Sequence, residues 1–374
     1  MNILQVTAAL EQGGVERGTV EMAAFIVEQG AKSFVASQGG RMVSELEALG
    51  SHHFNLPLAQ RNPGTLLYAA LQLKKIILKK DISLVHARSR APAWAAYLAS
   101  RSTGVPFVTT FHGTHRIQNS LKKKYNSVMV KGRRVIAISQ FIRNHIIENY
   151  GIDEALIDVA PRGFDPHKFY PGVVANGQIQ ELKNSLGLKD GVSVISLPGR
   201  LTRWKGQSIF LEALGEIADL PWQALVIGGA DKKHNYLEEL KNLVKNGGIE
   251  DRVNFVGNQP AIIPFYAVSD IVVSASTEPE AFGRVAVEAQ AMGKAVIASA
   301  HGGSLETVRD GETGWLFKNR DVVDLAAKMR YALTENVKLE DIGHTARQWV
   351  EANYTTDKMC QAEWETYLKV LKRV

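Results

Sequence analysis

The chain of 374 residues contains one cysteine, Cys360. No intrachain disulfide can form, which fits a reducing cytosol better than an oxidising exterior. Nor is there any run of 18 apolar residues, so no transmembrane helix is expected. The opening MNILQVTAAL lacks a basic n-region and reads as a first buried strand, not an export signal. Nucleotide-binding motifs of the common kinds are missing too. The string Gly13-Gly14-Val15-Glu16-Arg17-Gly18 is not G-x-G-x-x-G, and no acid ends the second strand at Ala36-Ser37-Gln38, so a dinucleotide site is excluded. Gly199 to Gly206 lacks the spacing of a Walker A loop. The sequence pI of 9.2 comes without a helix-turn-helix, zinc or aromatic-stacking motif, which argues against a nucleic-acid partner.

What is present is an ordinary globular composition, 45% hydrophobic and 22% charged, over a length that suggests two domains. Charge divides unevenly. Residues 1–170 hold 21 Lys and Arg against 12 Asp and Glu, whereas the remainder holds 23 against 26. The basic excess belongs to the first half.

That half alternates short apolar strands (Asn2–Val6, Ser33–Ala36, Ser83–His86, Pro106–Thr110, Arg134–Ile138, Ile157–Val159) with amphipathic helices at Glu16–Glu28, Thr65–Lys79, Ala91–Ser100, Gln118–Val130 and Gln140–Asn149. Such alternation predicts an α/β fold with a parallel sheet covered on both faces. A loose stretch from Pro161 to Gly177 then breaks the pattern, placing a linker between domains at 1–170 and 171–356. The second half repeats the scheme. Its strands are expected at Val192–Leu197, Gln223–Ile227, Val253–Val256, Asp270–Val273, Ala295–Ala298 and Trp315–Phe317, and three helical patterns close the chain, the last near Asp357–Lys372.

The richest stretch runs from Ser274 to Gly303. Glu280 lies in the loop after an apolar strand, and Glu288 lies one to two turns into a helix opening near Phe282-Gly283. The two carboxylates can then address one crevice beyond the carboxyl end of a strand, where open α/β sheets bind ligands. The helix start offers backbone N–H groups to an anion. Lys205, at another helix entrance, is disfavoured there by the macrodipole, and an anionic ligand would explain it. His112 projects at the end of a third strand, and the turn at Gly13-Gly14 lets backbone approach a ligand closely. His115 stands three residues on from His112, but no third ligand has metal spacing.

The string Glu-Ala-Phe-Gly-Arg-x-x-x-Glu-Ala-x-Ala-x-Gly-Lys-Ala-Val-Ile, followed by Gly-Gly-x-x-Glu-x-Val-x-Asp-Gly-x-x-Gly, resembles the donor block of family-4 retaining glycosyltransferases of the GT-B fold, gaplessly from Glu280 to Gly314. Gly-Gly-Val-Glu-Arg and His112-Gly113 resemble two further family motifs. The resemblance implies two Rossmann-like domains with the active site in the cleft between them, and a final helix (357–374) that packs back on the first. It implies transfer of a sugar from a nucleotide diphosphate sugar to an acceptor hydroxyl with retention. In that reading Arg200 and Lys205 grip the pyrophosphate, Glu288 takes the ribose hydroxyls, and Glu280 holds a hydroxyl of the donor sugar. Backbone at Phe282, Gly283, Arg284 and Val285 helps hold sugar and phosphate. His112 orients the sugar, Gly13 and Gly14 pack against donor and acceptor, and Val256 borders the base. No Asp-x-Asp pair is available to hold a metal on the diphosphate, so no metal or other cofactor is expected. A nucleotide-sugar epimerase of the same fold would lack this block, and a non-catalytic two-domain binding protein should carry an export signal.

The stretches His86–Pro92 and Pro161–Asp165 resemble enzymes of bacterial lipopolysaccharide-core synthesis, pointing to a lipid-linked or oligosaccharide acceptor. The basic groups Lys74-Lys75, Lys79-Lys80, Lys122–Lys124 and Lys131–Arg134 then predict a cytoplasmic protein docked peripherally on the anionic inner face of the cytoplasmic membrane.

Overall fold

The computed structural model describes all residues except 12, 61, 116, 118, 231–234, 335–337 and 373–374. It divides into two compact units, Met1–Gly163 with Thr356–Val374, and Phe164–Thr355.

In the first unit seven strands, β1 (Asn2–Val6), β2 (Lys32–Ser37), β3 (His52–Asn55), β4 (Leu84–Ala87), β5 (Phe107–Phe111), β6 (Arg134–Ala137) and β7 (Ile157–Val159), form a sheet in the order β3-β2-β1-β4-β5-β6-β7. All pairings are parallel, with Ile3 opposite both Ser33 and Leu84. Central strands such as Leu84-Val85-His86-Ala87 are buried throughout because helices cover both faces of a parallel sheet. The helix Pro63–Lys79 starts where Asn62 accepts from Thr65 N and proline takes the first helical position, whose N–H has no intrahelical partner to lose. The helix Thr356–Leu371 seals one face, burying Met359, Trp364, Tyr367 and Val370 against Ile3, Leu84, Val108 and Ile136.

The second unit carries β8 (Ser193–Pro198), β9 (Trp222–Ile227), β10 (Val253–Gly257), β11 (Ile271–Ser274), β12 (Ala295–Ser299) and β13 (Gly314–Phe317), again parallel, in the order β10-β9-β8-β11-β12-β13. Both sheets therefore reverse direction of strand addition once, between β1 and β4 and between β8 and β11. At such a switch point neighbouring loops leave the sheet toward opposite faces and open a crevice.

Three differences from the sequence reading are local. The unit boundary falls at Gly163, not at 170, because Phe164 N donates to Tyr354 O and Phe169 packs on the second unit's Tyr266. The strand β3 was not anticipated, since its four residues His-His-Phe-Asn form a half-polar edge strand without the apolar run of a central one. The helix expected at Gln118–Val130 is a helix at Ser120–Asn126 continued by a 3-10 turn at Ser127–Val130, with Gln118 itself outside the described residues.

Candidate active site

In the second unit the crevice forms between the loop after β8 and the loop after β11. The two are stitched by backbone: Thr277 N donates to Trp204 O at 2.7 Å. Gly206 is required at this contact. It has φ +71°, and a side chain there would bring its Cβ within 1.9 Å of the Ala275 carbonyl oxygen. This close approach carries Lys205, in the 3-10 turn Arg203–Lys205, to Glu280, and Nζ donates to Oε1 at 2.5 Å. Ser276 Oγ donates to the same oxygen at 2.6 Å, and the ammonium lies 4.4 Å from the centre of the Trp204 ring. Below the crevice the helix Arg284–Ala291 begins after Gly283 and holds Glu288, which is 8% exposed. Its two oxygens have separate partners, Arg284 Nη2 at 2.6 Å and the Tyr266 hydroxyl at 3.1 Å. Burial first, and the Glu288 carboxylate second, push the Tyr266 phenol well up, so it stays a donor. A ring of polar groups with two carboxylates and a cation, set on rigid strand ends, can hold a ligand rich in hydroxyls and phosphate.

The first unit has its own crevice of about 680 Å³ at the equivalent place, lined by residues that follow β1, β4 and β5, among them Arg88, Ser89, Arg90, His112 and His115. Its floor is tied to the C-terminal helix. Arg88 makes a bidentate pair with Glu363 at 2.6 and 3.1 Å, wholly buried, and also donates to Gln5. His86 is bonded at both nitrogens, to Tyr367 and to Thr110, each at 2.7 Å. Arg162 Nη2 contacts His112 Nδ1 at 3.0 Å. Burial, reinforced by the arginines, pushes His86 and His112 well below the ordinary histidine range, and burial with Arg90 brings His115 down to about 3.

Residues 12–168 match the family described as Glycosyltransferase Family 4, and residues 178–349 the family Glycosyl transferases group 1. A glycosyltransferase of Rickettsia africae superposes on the whole chain with TM-score 0.92 at 38% identity, covering 99% of that structure. The chain belongs to the glycosyltransferases. Its two parallel-sheet domains are those of the GT-B fold. The Anabaena protein HepE, solved in complex with UDP and glucose, is 26% identical with TM-score 0.83, over 98% of this chain and 99% of that one. A D-inositol 3-phosphate glycosyltransferase of Rhodococcus erythropolis is 29% identical over 77% of this chain and 68% of its own length.

The glycosyltransferase therefore brings Lys205 and Glu280 together, where the sequence reading had given each its own part of the ligand. The anion that explains Lys205 at a helix entrance is in the first instance Glu280. Arg200 is exposed, its carbonyl taken by Gln207 Nε2 at 3.0 Å. Arg203 reaches Glu239 at 2.7 Å and lies over Tyr236. Phe282 is buried edge-on against Tyr354, and Val285 packs on the core, so only their backbone can serve a ligand. Val256, in the edge strand β10, spends its side chain on the cluster around Leu225 and Phe265. Gly13 is the residue before the helix Gly14–Glu28 and accepts from Arg17 N. A larger groove of about 1020 Å³ beside Trp315 and Lys328 includes none of the nominated residues. Among the described residues no group of three His, Cys, Asp or Glu side chains could hold a metal ion. Sequence reasoning missed Tyr266, Ser276, Glu363 and the contact of Arg162 with His112. Arg162 and Ser276 had a signal, lying in the quoted Pro161–Asp165 and Ser274–Gly303 stretches.

Proposed function

We propose that this glycosyltransferase moves a hexose from a nucleoside diphosphate sugar to an acceptor hydroxyl with retention and without a metal. The observation that carries the proposal is the Lys205–Glu280 pair at the switch point of the second sheet, with Glu288 beneath it. An ammonium has three N–H bonds, of which Glu280 takes one, so the others can meet the departing diphosphate while Glu280 holds a sugar hydroxyl. Arg200 adds charge from the exposed side of the same loop. Glu288, bonded to Arg284 and Tyr266, accepts from the ribose hydroxyls. The backbone from Phe282 to Val285 faces the phosphate at a helix N-terminus. Reaction occurs on one face of the sugar, the leaving phosphate oxygen receiving the acceptor's proton, so none of these carboxylates needs to act as a nucleophile.

The acceptor is a lipid-linked or oligosaccharide glycan of the cell envelope, of the lipopolysaccharide-core kind, and the first unit meets it at an anionic membrane. Support comes from the helix Pro63–Lys79. Its buried face is Ala69, Ala70, Leu73 and Ile77, yet Leu67, Leu71 and Leu78 on the opposite face are 58, 53 and 64% exposed. Lys74, Lys75 and Lys79 flank that leucine stripe, and the helix has no acidic residue. Such a helix suits an interface of anionic headgroups over acyl chains. Leu121, 77% exposed beside Lys122–Lys124, extends the same character. Arg134 does not belong to this surface, being buried against Asp158. No described helix is long and apolar enough to cross a membrane.

The experiment is a panel of UDP-, GDP-, ADP- and dTDP-sugars read by thermal stabilisation. A donor at 100 times its Kd stabilises by about 2.7 kcal/mol, and one base is expected to stand out, with uridine the first to try because HepE was solved with UDP. A panel in which no nucleotide stabilises the protein overturns the reading.

A further inference from the structure

We infer that Arg162 is a positioning residue that holds His112 in a single tautomer, so that His112 meets its ligand as an N–H donor and takes no part in proton transfer. This rests on the reading of the first unit's crevice as a ligand site. The inference follows from what a guanidinium can do. All its nitrogens donate and none accepts. With Arg162 Nη2 at 3.0 Å from His112 Nδ1, that nitrogen must present its lone pair, and the ring proton must sit on Nε2. His112 lines the crevice, and its Nε2 is closed off from solvent without a protein partner. A buried N–H left unpaired is costly, and a ligand oxygen arriving there recovers that cost. The group recognised is thus an oxygen acceptor, a sugar hydroxyl or a phosphate oxygen.

Arg162 is placed for this by the chain around it. It is 5% exposed, its Nη1 lies 3.5 Å from Met359 Sδ on the C-terminal helix, and it is backed by the helix Gly14–Glu28. Gly18 sits inside that helix, where alanine would be preferred by about 1 kcal/mol on propensity alone. A Cβ at Gly18 would fall 1.9 Å from Arg162 Nη1, so the glycine keeps space for the guanidinium. Protonation of His112 at Nδ1 would drive a second positive charge against Arg162, with Arg88, His86 and His115 as the other basic groups acting on the ring. All oppose a charged imidazole.

The test uses the full-length protein labelled with 15N-histidine, the His112 signals being assigned by their loss in His112→Gln. Long-range 1H–15N correlation should show the wild-type ring as one Nε2–H tautomer that does not titrate between pH 8 and 5.5. Arg162→Met, and separately Gly18→Ala, which leaves Arg162 in the sequence but displaces it, should give a mixture of tautomers that titrates in that range. Arg162→Lys, which retains a cationic donor, should restore much of the wild-type spectrum. With a donor sugar found, Arg162→Met should lose at least tenfold in kcat/KM between pH 7.5 and 5.5 where the wild type has no such inflection, and His112→Gln, which can still donate, should outperform His112→Ala by tenfold or more. A wild-type ring protonated on Nδ1, a wild-type ring that titrates near 6.5, or spectra unchanged in both Arg162→Met and Gly18→Ala overturns the inference. Because the spectra need no glycosyl transfer, a protein that fails every donor assay but holds this tautomer refutes the proposed reaction and leaves the role of Arg162 standing.

Discussion

Lys205 and Glu280 lie 75 residues apart in the chain and 2.5 Å apart in the fold, across the one place where the second sheet reverses its order of strands. Both side chains are more than four-fifths buried, so neither is an ordinary surface charge. Lys205→Ala leaves the Glu280 carboxylate with Ser276 as its remaining bonded partner. The expected loss is about 1.5–3 kcal/mol of stability, the worth of a hydrogen bond between charged groups. Turnover is expected to fall by more than a hundredfold if, as proposed, the ammonium also meets the leaving diphosphate. Denaturant melts and initial rates check the two losses together, and rates measured in EDTA should equal those without it. Activity abolished by chelation and restored by Mg²⁺ contradicts the metal-free mechanism.

Glu288 is held from two sides, with Arg284 on one oxygen and Tyr266 on the other. In Glu288→Gln one of those positions becomes an amide that faces a donor. Nucleotide affinity should drop by about 1.5–3 kcal/mol. Tyr266→Phe removes a donor but spares the carboxylate, and should change nucleotide affinity less than threefold. Calorimetric titration of the nucleoside diphosphate distinguishes them, and an unaltered Kd for Glu288→Gln removes Glu288 from the ribose site.

Acid should attack the first unit before the second. His53, His86, His112, His115 and His145 all have folded-state pKa values below the ordinary 6.5, mainly through burial, and all lie in the first unit. Above pH 6.5 these groups are neutral in both states and stability is full. Below it the unfolded chain binds protons that the fold refuses, so stability falls with pH, for His115 down to about pH 3. Each fully depressed group contributes about 1.4 kcal/mol per pH unit. Hydrogen exchange at pH 7.5, 6 and 5 should show protection lost first in β1, β4 and β5. Uniform loss across both units refutes the assignment.

The leucine stripe of the helix Pro63–Lys79 separates membrane insertion from charge alone. Wild type should co-sediment with vesicles containing anionic lipid and not with neutral ones, and salt should weaken the binding. Leu67, Leu71 and Leu78 changed together to Ser should abolish pelleting at low salt without lowering the melting temperature, since these side chains are exposed. Lys122, Lys123 and Lys124 changed to Ala should weaken it and flatten its salt dependence. Equal pelleting with neutral vesicles removes the anionic surface as the partner.

Most of the fold was legible because it rests on short-range regularities. Apolar runs such as Ile271-Val272-Val273, each followed by a turn and an amphipathic helix, suffice to read parallel sheets and to place Glu280, Lys205 and His112 at strand ends. The edge strand at His52–Asn55 escaped because an edge needs only half of the apolar surface that marks a central strand. The exposed face of the helix Pro63–Lys79 escaped as well. Leucines at 66, 67, 71, 73 and 78 surround the helix, and pattern alone does not say which of them the core takes.

By itself, then, the sequence determined the two α/β sheets, the loops at their strand ends and the types of residue in them. These follow from local periodicity and from backbone groups left unpaired at helix and strand ends. The tertiary structure decided the partner of each charged or titratable side chain. Lys205 meets Glu280 because β11 lies beside β8. Arg88 meets Glu363 across 275 residues because the last helix returns to the first sheet, and Arg162 meets His112 because Gly18 leaves it space. Hydrogen bonds and ion pairs act over about 3 Å, and which groups come that close depends on strand order and chain return, which no local stretch of sequence encodes.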